Sequence, residues 1–113
     1  MAELDATFAA LADPARRSIV ELLKRQPARP SEVADALALS RPAVSRHLRI
    51  LRQAGLIEQS ADDEDARARP IALRHEPFSQ LRTWIEEVEA FWGEQLAAFK
   101  SYAEHKHGKG RRR

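Results

Sequence analysis

The chain has 113 residues, 43% hydrophobic and 32% charged, with a formal net charge of +2 at pH 7. That length makes one domain with a modest core and leaves apolar surface to hide against a second copy. It contains no cysteine, which excludes disulfides, thiolate metal sites and cysteine nucleophiles. No run nears the ~18 apolar residues of a membrane span, and the acidic start MAELDATFAA is unlike a secretion signal, so a cytoplasmic protein with no membrane partner is expected.

The charge is unevenly placed. Residues 1–55 carry nine Lys/Arg against six Asp/Glu, residues 56–104 five against eleven, and residues 105–113 five bases and no acid. A basic front half and an acidic second half predict different partners for each.

Four helices are predicted before residue 55. The first places Leu4, Phe8 and Leu11 at helical spacing. Asp13-Pro14 ends it and opens the second, with Asp13 as N-cap and Pro14 preorganised for the first helical position. Ile19, Val20, Leu22 and Leu23 give the second helix a buried face, and the stretch from Pro27 to Pro30 stops it. Ser31 is the expected cap of a short third helix ending at Leu37, with Glu32 in its first turn. Ser40 caps the fourth, Pro42 falls in its first turn, and Gly55 ends it in the left-handed conformation. The third and fourth read as a helix-turn-helix, although the turn lacks the glycine often found there.

After Gly55 the period changes. Leu56–Ser60 and Pro70–Arg74 are strand candidates separated by ADDEDARAR, a hairpin with a long charged tip. Pro70 confines its strand to an edge or a strand start. Glu76-Pro77 then opens a long helix to about His105. Its apolar stripe of Phe78, Leu81, Ile85, Val88, Trp92, Leu96 and Phe99 is widened by Trp84, Phe91 and Tyr102. This helix outruns what one small domain covers, which favours a dimer interface over burial within one chain, with Leu4, Phe8 and Leu11 joining it. A pocket for an apolar effector at Trp84, Phe91 and Trp92 is the lesser alternative. The domain is set at residues 1–104, and the basic tail 105–113, HKHGKGRRR, is expected to be disordered.

The fourth helix, SRPAVSRHLRILRQAG, carries the functional signal. At about 100° per residue Val44, Leu48 and Leu51 share one face, while Pro42, Ser45, Arg46 and Arg49 lie opposite. Between Arg41 and Ile57 there are four arginines, one histidine and no acid. Such a face suits the DNA major groove, where phosphates attract the charge and arginine donates twice to guanine. Ser40 and the helix N-terminus suit a phosphate. A merely solvated basic face is the plain alternative; the short preceding helix, the tight turn and the hairpin in the wing position favour DNA.

DPARRSIVELL followed by SEVADALALSRPAVSRHLRILRQAGLI resembles the ArsR/SmtB family of winged-helix bacterial repressors, with elements in the same order over roughly residues 4–100. The resemblance implies a mainly α fold with a β-hairpin wing, α1-α2-α3-α4-β-β-α5. It implies a homodimer through the first and last helices, here Leu4, Phe8, Leu11, Leu81, Ile85, Val88, Trp92, Leu96 and Phe99. It also implies repression at a double-stranded, inverted-repeat operator, relieved by a signal that the sequence does not identify. By position in the motif, Ser40, Arg41, Pro42, Ser45, Arg46, His47 and Arg49 are the DNA-facing candidates; His47 lies at the edge of the buried face, where packing or a phosphate contact is as much expected as base reading.

Two features depart from the family. The cysteine pair of metal-sensing members is replaced by SEVADAL, and the last helix has no histidine or aspartate from Pro77 to Glu104, so no metal or other cofactor is expected. His105 and His107 with Glu104 would make at best a weak site. In the wing, Asp62, Asp63, Glu64 and Asp65 precede Arg67 and Arg69; the acidic tip is expected to point away from phosphates, leaving Arg67 or Arg69 to touch DNA. No enzyme is expected: the four glycines form no phosphate loop, and Ser45 and His47, two apart on a helix, form no nucleophile and base pair. The competing function is a winged-helix module for protein assembly that does not bind DNA.

Overall fold

The computed structural model describes residues 1–60 and 69–111, with side chains to residue 105. In chain order the elements are α1 (Ala2–Leu11), α2 (Pro14–Arg25), α3 (Pro30–Leu37), α4 (Arg41–Gln53), β1 (Ile57–Gln59), β2 (Ile71–Leu73) and α5 (His75–Arg111). This is the expected winged-helix order. Packing divides the chain into two compact units, Met1–Leu81 and Arg82–Arg113.

The first unit holds the core. Ile19, Val33, Leu51, Leu56 and Ile71 are fully buried there, joined by Leu23, Val44, Leu48 and Ile57. Local chemistry defines each helix end. The Asp13 carboxylate accepts from the Ala15 and Arg16 N–H groups at 2.7 and 3.4 Å, and Pro14 occupies the first turn as expected. At α3 the expectation is corrected. The N-cap is Arg29, Pro30 takes the first position, and Ser31 lies inside the helix. Glu32 supplies the acceptor, receiving the Arg29 N–H at 2.9 Å, so a proline fixed in φ and an acid in the first turn replace a serine cap.

The turn from α3 to α4 takes residues 38–40. Ala38 stands at φ 54°, ψ 42°, the left-handed position where glycine was missing from the sequence. Its N–H reaches Asp35 O at 3.4 Å and the Leu39 N–H reaches Ala34 O at 3.0 Å, closing a Schellman pattern without glycine. The α4 C-terminus repeats the pattern with glycine. Gly55 has φ 78°, its N–H donates to Arg52 O at 2.9 Å, and the Leu56 N–H donates to Leu51 O at 3.0 Å.

β1 and β2 pair antiparallel with Ile57 opposite Leu73, Glu58 opposite Ala72 and Gln59 opposite Ile71. A third piece of backbone, unforeseen in the sequence, bridges to the other side of β2. Ala28 and Ile71 exchange both hydrogen bonds, at 3.1 and 2.7 Å. Pro70 stands just before β2, the strand start to which its missing N–H confines it.

In the second unit α5 continues alone. It runs to Arg111, past the expected end near His105, so the backbone at 105–111 is helical where a disordered tail was expected. No proline follows Pro77 to interrupt propagation, and bases near a helix C-terminus favour its dipole. Arg82–Glu86 at 2.9 Å and Lys100–Glu104 at 3.9 Å are i,i+4 ion pairs on its surface. Ile85, Phe91, Trp92, Leu96, Phe99 and Tyr102 are exposed, while Trp84 and Val88 are half-buried. Phe91 and Trp92 meet edge to face with centroids 5.9 Å apart, both of them exposed. Among the described residues no helix is long and apolar enough to cross a membrane, and no cluster of three or more metal-ligating side chains occurs.

Candidate nucleic-acid interface

α4 is positioned at both ends and along one side. Ser40 caps it, Oγ accepting the Ala43 N–H at 3.2 Å, which leaves the hydroxyl hydrogen directed by no bond to the helix. Val44, Leu48 and Leu51 are buried against the core. With Arg41 taken as zero and about 100° per residue, the buried residues fall in an arc of roughly 240–340° and the exposed ones in roughly 0–140°.

The exposed arc contains Arg41, Pro42, Ser45, Arg46, Arg49, Arg52 and Gln53. Among the described residues the side chains of the four arginines make no hydrogen bond or ion pair, so their guanidinium groups are available to an external partner. Arg52 belongs to this face as fully as Arg49. Its place was readable from the same periodicity, since it lies three residues beyond Arg49 and eleven beyond Arg41.

His47 is corrected. It is 6% exposed, on the core side of α4, and not among the DNA-facing side chains. Its neighbour there is Arg16 of α2, whose Nη1 lies 3.4 Å from His47 Nδ1. Arg16 also donates through Nε to Ala10 O at 2.6 Å and through Nη2 to Ala9 O at 3.3 Å, while Nη1 lies 3.7 Å from Asp13 Oδ2. Arg17 Nη1 donates to Leu11 O at 2.8 Å. The last turn of α1 has no basic residue of its own, so these two arginines satisfy its open carbonyls from the start of α2. The Ala15 N–H above all holds the Asp13 carboxyl below its ordinary value of 3.8; desolvation opposes it, and the N–H and charge of Arg16 and the charge of a protonated His47 add to the lowering.

Of the wing candidates, Arg69 is half-buried beside Pro70, whereas Arg67 and the acidic tip Asp62, Asp63, Glu64 and Asp65 lie outside the described residues. Of the dimer candidates, Leu4, Leu11, Leu81 and Val88 are half-buried, and Phe8, Ile85, Trp92, Leu96 and Phe99 are exposed. In α1 it is Thr7 and Ala10 that face the core, leaving Phe8 40% exposed.

Residues 13–59, from the α2 cap to the end of β1, match the family model of the bacterial regulatory proteins of the arsR family. The chain is 37% identical over 95 residues to the HTH-type transcriptional regulator Rv2034 of Mycobacterium tuberculosis, a match covering 84% of this chain and 83% of that one. The chain belongs to the ArsR family. The structure of an ArsR-like transcriptional regulator from Rhodococcus sp. RHA1 superposes with a TM-score of 0.74 at 32% identity, covering 90% of this chain and 93% of the other. The transcriptional repressor SdpR of Bacillus subtilis is 42% identical over 50 residues, 44% of this chain and 56% of that protein. As an ArsR-family member the chain is a DNA-binding transcription regulator.

Proposed function

We propose that this ArsR-family protein is a homodimeric repressor that reads an inverted-repeat operator through α4 and is released by a signal that disfavours its DNA-competent form. The exposed, acid-free arc of Arg41, Arg46, Arg49 and Arg52 carries this reading. Lying beside the small residues Pro42 and Ser45, these guanidinium groups can approach base edges closely, and Ser40 can donate to a phosphate at the helix N-terminus. Arg69 and Arg67 add a backbone or minor-groove contact from the wing. SdpR, to which 50 residues of this chain are 42% identical, is a transcriptional repressor.

The exposed apolar stripe of α5 supports the homodimer. Surface of this kind on one helix face marks an association site. A dimer spaces two α4 helices about one DNA turn, ~34 Å, apart.

A gel-shift titration with DNA upstream of the protein's own gene tests the reading. Wild type binds with an affinity that falls steeply with salt, and removing one base that neutralises a phosphate makes the log–log slope shallower by about 0.9. The Arg46→Ala, Arg49→Ala double variant removes specific binding, at a cost of about 1–3 kcal/mol for each arginine–base pairing it abolishes. Wild-type protein that fails to bind at low salt would sink the proposal.

A further inference from the structure

Arg16 is not on the DNA-facing arc, yet its guanidinium serves three elements at once. It caps the α1 carbonyls of Ala9 and Ala10, pairs with Asp13 at the start of α2, and reaches His47 in α4, while its side chain is only 13% exposed. Arginine can only donate, so the 3.4 Å approach of Nη1 to His47 Nδ1 is a hydrogen bond in the ring form that keeps a lone pair on Nδ1 and its proton on Nε2. An imidazolium would set an N–H and a positive charge against the guanidinium instead.

We propose that Arg16 is a positioning residue for operator reading: by holding His47 as the neutral Nε2–H tautomer, it fixes the roll of α4 against α1 and α2. This rests on α4 being the DNA-reading helix. His47 follows Arg46 directly and precedes Arg49 by two, so the roll that seats His47 sets where both arginines project. Side chains extend about 5–6 Å from a helix axis, and a roll of roughly 10° moves their tips by about 1 Å. That displacement exceeds the ~0.5 Å tolerance of a preorganised constellation. The other helix seating through buried aliphatic residues resists separation of the elements, but one off-axis polar clamp fixes rotation more sharply, because a hydrogen bond weakens steeply with angle.

The test combines imidazole 15N NMR of the full chain with competition between an operator duplex, selected by the wild-type protein, and a random duplex. Wild type is expected to show His47 protonated on Nε2 and unprotonated on Nδ1, and Arg16→Met to show mixed tautomers. Arg16→Met and His47→Leu each weaken operator binding about tenfold, leaving affinity for random duplex and its salt slope near wild type, and the double variant is no weaker than the worse single. His47→Asn, which retains an acceptor near the Nδ1 position, recovers most of the loss. Circular dichroism checks the fold, and if Arg16→Met unfolds, the wild-type tautomer and the contrast between the Asn and Leu variants decide. A proton on Nδ1, additive losses, or an equal loss on both duplexes with a slope shallower by about 0.9, the mark of a direct phosphate partner, overturns the proposal. Arg46→Ala with Arg49→Ala separates the two readings. Specific binding that survives this change defeats the role of α4 itself; specific binding that is abolished there but intact in both Arg16→Met and His47→Leu defeats only Arg16.

Discussion

Arginine does two different jobs within forty residues of this chain. At 41, 46, 49 and 52 it is exposed and without a partner among the described residues, while at 16 and 17 it is committed to the carbonyls of α1. The difference was not legible from residue type. The DPARR segment shows a cap followed by two bases, but only the fold shows that the end of α1 lies within their reach. Ala38 makes the same point from the opposite direction. An L-residue in the left-handed region costs about 1–2 kcal/mol, part of which glycine would return to the unfolded chain as entropy. Ala38→Gly is therefore expected to stabilise the protein by about 0.5–1 kcal/mol, raising Tm by a few degrees in thermal denaturation. Asp13 gives a pH test. Its folded carboxyl titrates below 3.8, so its charge stabilises the fold above that value, and the contribution is lost as pH falls through the lower folded value. Asp13→Asn keeps a capping oxygen but no charge; urea denaturation at pH 7 and near pH 3 should show a smaller acid-induced loss in this variant than in wild type.

At the scale of the element, periodicity located the five helices and both strands of the hairpin, because each carries a repeating apolar face, whether it meets the core as in α2 and α4 or stays exposed as along α5. The α2 cap, the α4 cap and Gly55 were readable for a local reason: a cap is fixed by residues two or three apart. The bridge between Ala28 and Ile71 was not readable, since one residue has no period and its partner lies 43 positions away. That bridge places Ile71 between two lengths of backbone, where it is fully buried. Ile71→Ala should cost about 2–5 kcal/mol in chemical denaturation through reduced burial and a residual cavity, loosening the base of the wing. Between the alternatives open to His47 the sequence did not decide, for a related reason. At roughly 240° on the α4 wheel it falls at the margin of the apolar arc, and a side chain 31 residues earlier draws it inward.

For the whole molecule, the question is what covers α5. Trp92 and Leu96 are 58% and 63% exposed on a unit that consists, among its described residues, of this one helix. The charges introduced by Trp92→Glu with Leu96→Glu should convert the proposed dimer to a monomer in sedimentation, with the helical circular dichroism retained. Operator affinity should then fall by about 10²–10⁴, the advantage of reading two half-sites together. A dimer that persists in this variant would place the interface elsewhere.

The sequence alone determined the order of elements, the helix-turn-helix with its hairpin, and the acid-free basic face of α4, because amphipathic period and capping are local properties written in neighbouring residues. It also showed that the +2 total conceals a basic recognition segment offset by an acidic second half. Only the tertiary structure decided which polar groups are consumed internally. It removed His47 from the DNA-facing set, added Arg52 by its exposure, and revealed Arg16 as the link between α1, α2 and α4. The reason is physical: the availability of a charged side chain depends on which distant carbonyl or ring comes within about 3 Å, and that distance exists only once the helices have packed.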